Sequence, residues 1–196
     1  MSNSCVITNE EGWYKKALDT DLARPKFAIM NPEITYTLPD YQTQCGCADI
    51  MMHTMERYFV LEDTMEITDK IAQDVMKNVM KYAKILKKDP ENYEARAEIM
   101  WCGSLSHNGL TGCGTCGGDW ATHLIEHELG GMFDVAHGAG LAAVWGSWAR
   151  YVMDEKPERF AQFAVDVMGV EESDDVKSTA LKGIEAVEEF YRMIEM

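Results

Sequence analysis

The sequence predicts a mainly α-helical bundle with a short β-hairpin at its N-terminus, and three observations carry the prediction. From position 39 onward the apolar residues recur at helical spacing. The two β-branched or apolar runs that read as strands, 5–8 and 26–30, both lie in the first part of the chain. With 196 residues, 46% of them hydrophobic, the chain can bury one core, or a core and a small appendage.

Cys5-Val6-Ile7-Thr8 and Lys26-Phe27-Ala28-Ile29-Met30 read as two strands, paired as a hairpin across a polar loop around Glu10-Glu11-Gly12, with Asn31-Pro32 ending the second. Two strands alone are marginal in water, so they should belong to a larger sheet that this chain does not contain. Helices follow over 40–59, 69–86, 92–105, 120–129, 138–152, 157–168 and 174–194. The second has Ile71, Val75, Val79 and Ile85 at helical spacing and ends at Lys87-Lys88-Asp89-Pro90. Positions 109–118 form a glycine-rich loop, and Gly130-Gly131 ends the helix that begins at Trp120. The division is therefore 1–38, hairpin and linker, and 39–196, helical domain. No repeat or low-complexity segment interrupts it.

Composition narrows the function. A net charge of −15 argues against nucleic acid and anionic membrane surfaces. No stretch approaches the ~18 uninterrupted apolar residues of a membrane span. The first ten residues lack the basic and apolar regions of a signal peptide. A cytoplasmic protein with six reduced cysteines is the expectation. Cys113-Gly114-Thr115-Cys116 is a C-x-x-C, but Cys45-x-Cys47 is poorly spaced as a second zinc half-site, so these read as ordinary thiols. The fourteen methionines read as core filler and the acidic residues at 171–175 as a solvated helix start.

The chemistry is concentrated in two pairs. Asp49 and His53, and His123 and His127, are each four apart, on one face of a helix, where a pair can close on one metal ion. His137 follows, with Gly138, Ala139 and Gly140 allowing close backbone approach. Four of the five histidines fall in this set. Singly, a histidine on a half-apolar helix reads as a hydrogen-bonded core residue; the combination reads as a metal site, and a carboxylate with imidazoles suits zinc or ferrous iron. Geometry alone permits either His123 or His127, or both, as ligands. His123-Leu124-Ile125-Glu126-His127 also matches the H-x-x-E-H pattern of inverted zinc peptidases, with Glu126 as base, but that reading leaves Asp49, His53 and His137 without a role.

These residues resemble a known family. Ser2 to Glu10, Asn31-Pro32-Glu33-x-Thr35-Tyr36-Thr37-Leu38-Pro39, Asp49-x-x-x-His53-x-x-Glu56-x-Tyr58, His123-x-x-x-His127-x-x-Gly130 and 137–151 are similar to the iron-containing (group III) alcohol dehydrogenases, in their NADH- or NADPH-dependent butanol dehydrogenase branch. The resemblance covers nearly the whole chain. It implies Asp49, His53, His123 and His137 as ligands of Fe2+, with Zn2+ as the alternative, and His127 as a catalytic residue near nicotinamide and substrate. Lys15, with Lys16 beside it, falls where the family places a lysine near the cofactor ribose. It implies NAD(H) or NADP(H) as cofactor, a small alcohol or aldehyde as substrate, and a homodimer as a compatible assembly. Complete members begin with a dinucleotide-binding α/β domain of about 150 residues, so the hairpin reads as a remnant of that domain, with Met1-Ser2 resembling an internal Met-Ser of a cofactor-contacting stretch. No glycine-rich phosphate loop follows a strand here. The chain alone is expected to bind metal without turnover.

Overall fold

The computed structural model describes residues 3–61 and 65–196. The resemblance noted at Met1-Ser2 lies outside the described residues. Strands β1 (Ser4–Asn9) and β2 (Tyr14–Asp19) form an antiparallel hairpin in which Ser4 faces Asp19 and Asn9 faces Tyr14. Its four-residue loop turns through Gly12 and Trp13, both at positive φ. Seven helices follow among the described residues: α1 (Asp40–Tyr58), α2 (Glu66–Leu86), α3 (Tyr93–His107), α4 (Ala121–Phe133), α5 (His137–Val152), α6 (Pro157–Asp166) and α7 (Val176–Met193).

The hairpin is present, but its second strand is not the one the sequence suggested. Residues 26–30 pair with no strand among the described residues, and Phe27 and Ile29 stand exposed. The strand at Tyr14–Asp19 is fixed by pairing with β1 rather than by its own β-propensity, since Lys15, Lys16 and Ala17 are weak strand formers. The second correction concerns α4, which runs past Gly130-Gly131 to Phe133 and stops at Asp134, whose φ is 54°. The two glycines serve close approach instead. A Cβ on Gly131 would lie 2.5 Å from the Trp13 carbonyl oxygen, and one on Gly130 would lie 2.7 Å from Lys15 Nζ. They let the hairpin rest against α4.

Local signals set most of the other ends. Asn92 Oδ1 accepts from the Ala95 amide at the start of α3, and Asp175 accepts from the Ser178 amide at the start of α7. Pro157 opens α6 at a position where its missing N–H costs nothing. α1 is the central helix. Cys47, Ala48, Met51, Met52 and Met55 are fully buried, so its sides are covered by α2, α3 and α5. The flexible thioethers fill the irregular space between these helices. Beyond the end of α1, Phe59 stacks on Phe160 with ring centroids 4.3 Å apart, and Trp145 and Phe163 close the same cluster.

One buried ion pair locks this layer. Arg159 donates to both carboxylate oxygens of Asp69 at 2.6 Å, donates through Nε to the Tyr58 carbonyl at 2.9 Å, and lies 3.5 Å from the Tyr58 ring centroid. A short bidentate pair with a further charge-assisted bond to a backbone carbonyl is the geometry that offsets the cost of burying two charges. It holds the C-terminal end of α1 to α2 and α6.

Candidate metal centre

Four helices deliver the polar side chains. Asp49 and His53 are one turn apart on α1, and α1 turns that face toward the N-terminal half of α4 and the first residue of α5. His123 sits in the first turn of α4, His137 is the first residue of α5, and His107 is the last of α3. Asp49 is the hub. Its Oδ1 lies 3.6 Å from His53 Nε2, 3.6 Å from His123 Nε2 and 3.5 Å from His137 Nε2.

Those separations are too long for good hydrogen bonds. They match another geometry: donors about 2 Å from a shared ion sit roughly 3–3.5 Å from one another. The burial agrees. Asp49 Oδ1 and His123 Nε2 are both buried and have no hydrogen-bond partner among the described residues, an arrangement that is costly unless something else satisfies them. One carboxylate and three imidazoles, aimed at one point with orphaned lone pairs, fit a borderline divalent cation.

The outer nitrogens of two of these rings are held by carboxylates. Glu56, fully buried on α1, accepts from both the His123 backbone amide and the His123 Nδ1 at 3.1 Å. Glu126, fully buried on α4, contacts His137 Nδ1 through Oε2. A carboxylate behind a histidine fixes the ring and raises its basicity as a ligand. Glu126 also receives the Lys15 ammonium, which reaches from β2 to 3.1 and 3.3 Å from its two oxygens and 3.5 Å from His137 Nδ1. Lys16 points elsewhere, its ammonium 5.7 Å from the Tyr14 ring centroid.

Charge in the cluster follows from these contacts. Burial would raise the Asp49 carboxyl, but the neighbouring His107, His123 and His137 hold it well below the usual carboxylate range. Burial drives His53 down to about 2, so it is a neutral ring. Burial pulls His137 the same way, yet the nearby carboxylates of Asp49 and Glu126 lift it to about 9. The carboxylates demand positive charge at this point of the fold.

His127 lies apart from Asp49. It is half-buried one turn along α4 from His123, with its ring 5.6 Å from that of His137. Burial first, then the charges of Lys15 and His137, push its pKa down. The donor atoms thus form two adjoining groups, one of Asp49, His53 and His123 and one of Glu126, His127 and His137, joined by the contact between His137 and Asp49. Glu126, the base in the peptidase pattern, is engaged by Lys15 and His137. Cys113 and Cys116 are exposed on the loop before α4.

Sequence reasoning missed three participants. Glu56 had a signal, since it continues the face of Asp49 and His53 and is an acidic residue inside an apolar stretch. Trp120, at φ 64° just before α4, packs its ring 5.2 Å from His53 and 5.1 Å from His123, and the Arg57 guanidinium lies 4.7 Å above its indole. His107 had no signal: a histidine in the last turn of a helix reads as a partner of the helix dipole.

Residues 43–196 match the family model of the Fe-containing alcohol dehydrogenases, C-terminal part. The chain belongs to the iron-containing alcohol dehydrogenase family. It is 35% identical over 195 residues to NADH-dependent butanol dehydrogenase A of Clostridium acetobutylicum, covering 99% of this chain and 50% of that protein. It is 33% identical over 190 residues to the NADPH-dependent aldehyde reductase YqhD of Escherichia coli, covering 96% and 48%. The crystal structure of an NADH-dependent butanol dehydrogenase A from Thermotoga maritima superposes with a TM-score of 0.95 at 37% identity, over all of this chain and 48% of that one. The chain spans about half the length of the curated relatives it matches. The helical bundle with its hairpin is therefore a fold shared with this family. Among the described residues no helix is long and apolar enough to cross a membrane.

Proposed function

We propose that this chain is the metal-binding half of an alcohol dehydrogenase that moves a hydride between NAD(H) or NADP(H) and a small aldehyde or primary alcohol. The convergence of Asp49, His53, His123 and His137 on one point carries the reading. These four residues hold Fe2+, with Zn2+ as the alternative. When bound, the ion supplies Lewis acidity to an alcohol or carbonyl oxygen.

The chain's own residues do the rest. Glu56 and Glu126 keep the Nε2 atoms of His123 and His137 directed inward. Trp120 walls the site beside His53 and His123 and excludes water from that side. His127, a neutral ring beside the cluster, accepts or returns the proton of the alcohol. Lys15, delivered by the hairpin, puts an ammonium on the side of the site where the nicotinamide cofactor would lie. Residues 1–38 belong with a dinucleotide-binding unit of the complete enzyme, and 39–196 form the metal-binding unit.

Metal content of two purified variants tests the assignment. His123→Ala should lose most of its metal. His127→Ala should keep it and, in the enzyme joined to a dinucleotide-binding half, lose about 10²–10⁴-fold in rate. Equal metal loss in both would make His127 a ligand and refute the assigned roles. The 196-residue chain alone should bind a divalent ion and show little alcohol-dependent NADH formation.

A further inference from the structure

His107 is the one histidine outside the expected set, and the fold brings it into contact with the candidate centre. Its Nε2 lies 3.3 Å from Asp49 Oδ2. A carboxylate can only accept, so Nε2 carries the proton of this contact. In that tautomer Nδ1 accepts, and it lies 2.7 Å from the Ser106 hydroxyl, which can donate to it and fix the ring from the α3 side. The ring also lies against His53, centroids 3.8 Å apart and planes 31° apart.

The two oxygens of Asp49 therefore differ. Oδ2 is taken by His107, while Oδ1 is buried, without a hydrogen-bond partner among the described residues, and faces the three other rings. His123 and His137 each have a carboxylate behind them. His107 is the corresponding support for the aspartate.

We infer that His107 is a positioning residue that orients the Asp49 carboxylate, donating from Nε2 to Oδ2 so that Oδ1 is presented to the ion. The inference rests on the metal-site reading above and adds to it a residue that the ligand spacing did not reveal. Supporting hydrogen bonds of this kind typically change metal affinity by about 10–100-fold.

The test is the affinity of the 196-residue chain for Co2+ alone, measured by chelator competition, with circular dichroism as the check on folding. His107→Leu should weaken binding about 10–100-fold. His107→Gln, whose amide can donate from nearly the same place, should recover most of the loss, and His107→Asn, with its donor drawn back, should not. In an Asp49→Ala background, His107→Leu should add little, because its effect passes through Asp49. Unchanged affinity in His107→Leu overturns the inference, as does a full further loss in the Asp49→Ala background, which would make His107 a ligand itself. If His107→Leu does not fold, the Gln and Asn variants decide on the same terms. Unchanged affinity in Asp49→Ala alone overturns the metal-site reading and the inference with it.

Discussion

Adding a single methyl group at Gly138 should dismantle the site from a distance. Gly138 follows His137 and packs directly on the backbone of α1. A Cβ there would lie 2.0 Å from the Cys45 carbonyl oxygen, 2.6 Å from its carbon and 2.7 Å from its Cα, whereas such atoms essentially never approach within 3.0 Å. Backbone cannot swing aside as a side chain can, so the start of α5 must retreat from α1 by about 1 Å, the difference between 3.0 and 2.0 Å. His137 moves with it, away from Asp49 on α1. Metal–ligand distances tolerate only about 0.2 Å. Gly138→Ala should thus cost at least the roughly 10–100-fold in metal affinity that losing a supporting contact does. The overpacking itself should cost about 1–3 kcal/mol of stability.

The control lies on α1, next to the Cys45 backbone that Gly138 packs against. Gly46 has nothing within 4 Å of a built Cβ and is exposed on α1. Gly46→Ala should leave metal affinity unchanged and stabilise the fold by about 0.5–1 kcal/mol, through helix propensity alone. Thermal unfolding and Co2+ titration of both variants read the two effects separately, with each kcal/mol worth about 2–4 °C in a chain of this size. Parental Co2+ affinity in folded Gly138→Ala would refute the claim that the seating of α5 on α1 sets the ligand geometry.

Other expectations follow from the same structure. Arg159→Ala leaves Asp69 buried without its partner and should destabilise the protein by about 3–5 kcal/mol in urea unfolding. Alkylation of the native protein should reach the exposed Cys113 and Cys116 first, while Cys47, pushed up to about 12 by burial, and Cys102, pushed up to about 11 by burial, should react only on unfolding. Burial raises the Asp40 carboxyl, but Lys87 and Gln44 outweigh it and leave the pKa depressed. The Asp40–Lys87 pair should therefore stabilise above the ordinary carboxylate pKa and lose that contribution as pH falls through the lower folded value. The difference in stability between the parent and Lys87→Met should shrink in the same acid window.

How much of this was legible depended on whether a feature was local. The helices were readable because each buries one face at helical spacing, and the ends that depend on Asn92, Pro157 and Asp175 are capping chemistry within one turn. Two i,i+4 pairs and a histidine among small residues pointed to this cluster, but spacing left His123 and His127 equivalent, and only the family resemblance separated them. What sequence could not give was set by contacts between distant segments. Tyr14–Asp19 is a strand because β1 lies beside it, and 26–30 is not paired with either strand of the hairpin. Gly130-Gly131 looked like a helix stop, but the glycines answer the hairpin's approach to α4. His107 looks like a helix-end residue until α3 packs on α1 and its ring meets Asp49.

The two adjoining groups of donors raise the question of one metal ion or two, and His137 decides it on the proposed reading. Its ring bridges them: Nε2 faces Asp49 and Nδ1 contacts Glu126. With Nδ1 engaged, only Nε2 remains for an ion, and it points toward Asp49, His53 and His123. The other group, Glu126, His127 and His137, already holds a cation, because the Lys15 ammonium sits 3.1 Å from Glu126 and 3.5 Å from His137 Nδ1. A divalent ion placed there would meet that charge at close range in a half-buried setting, where repulsion is several times stronger than in water. The second group therefore acts as support for the first. Glu126 steadies His137 and neutralises Lys15, and His127 stays free of any ligand duty, which leaves a neutral imidazole beside the centre for proton transfer.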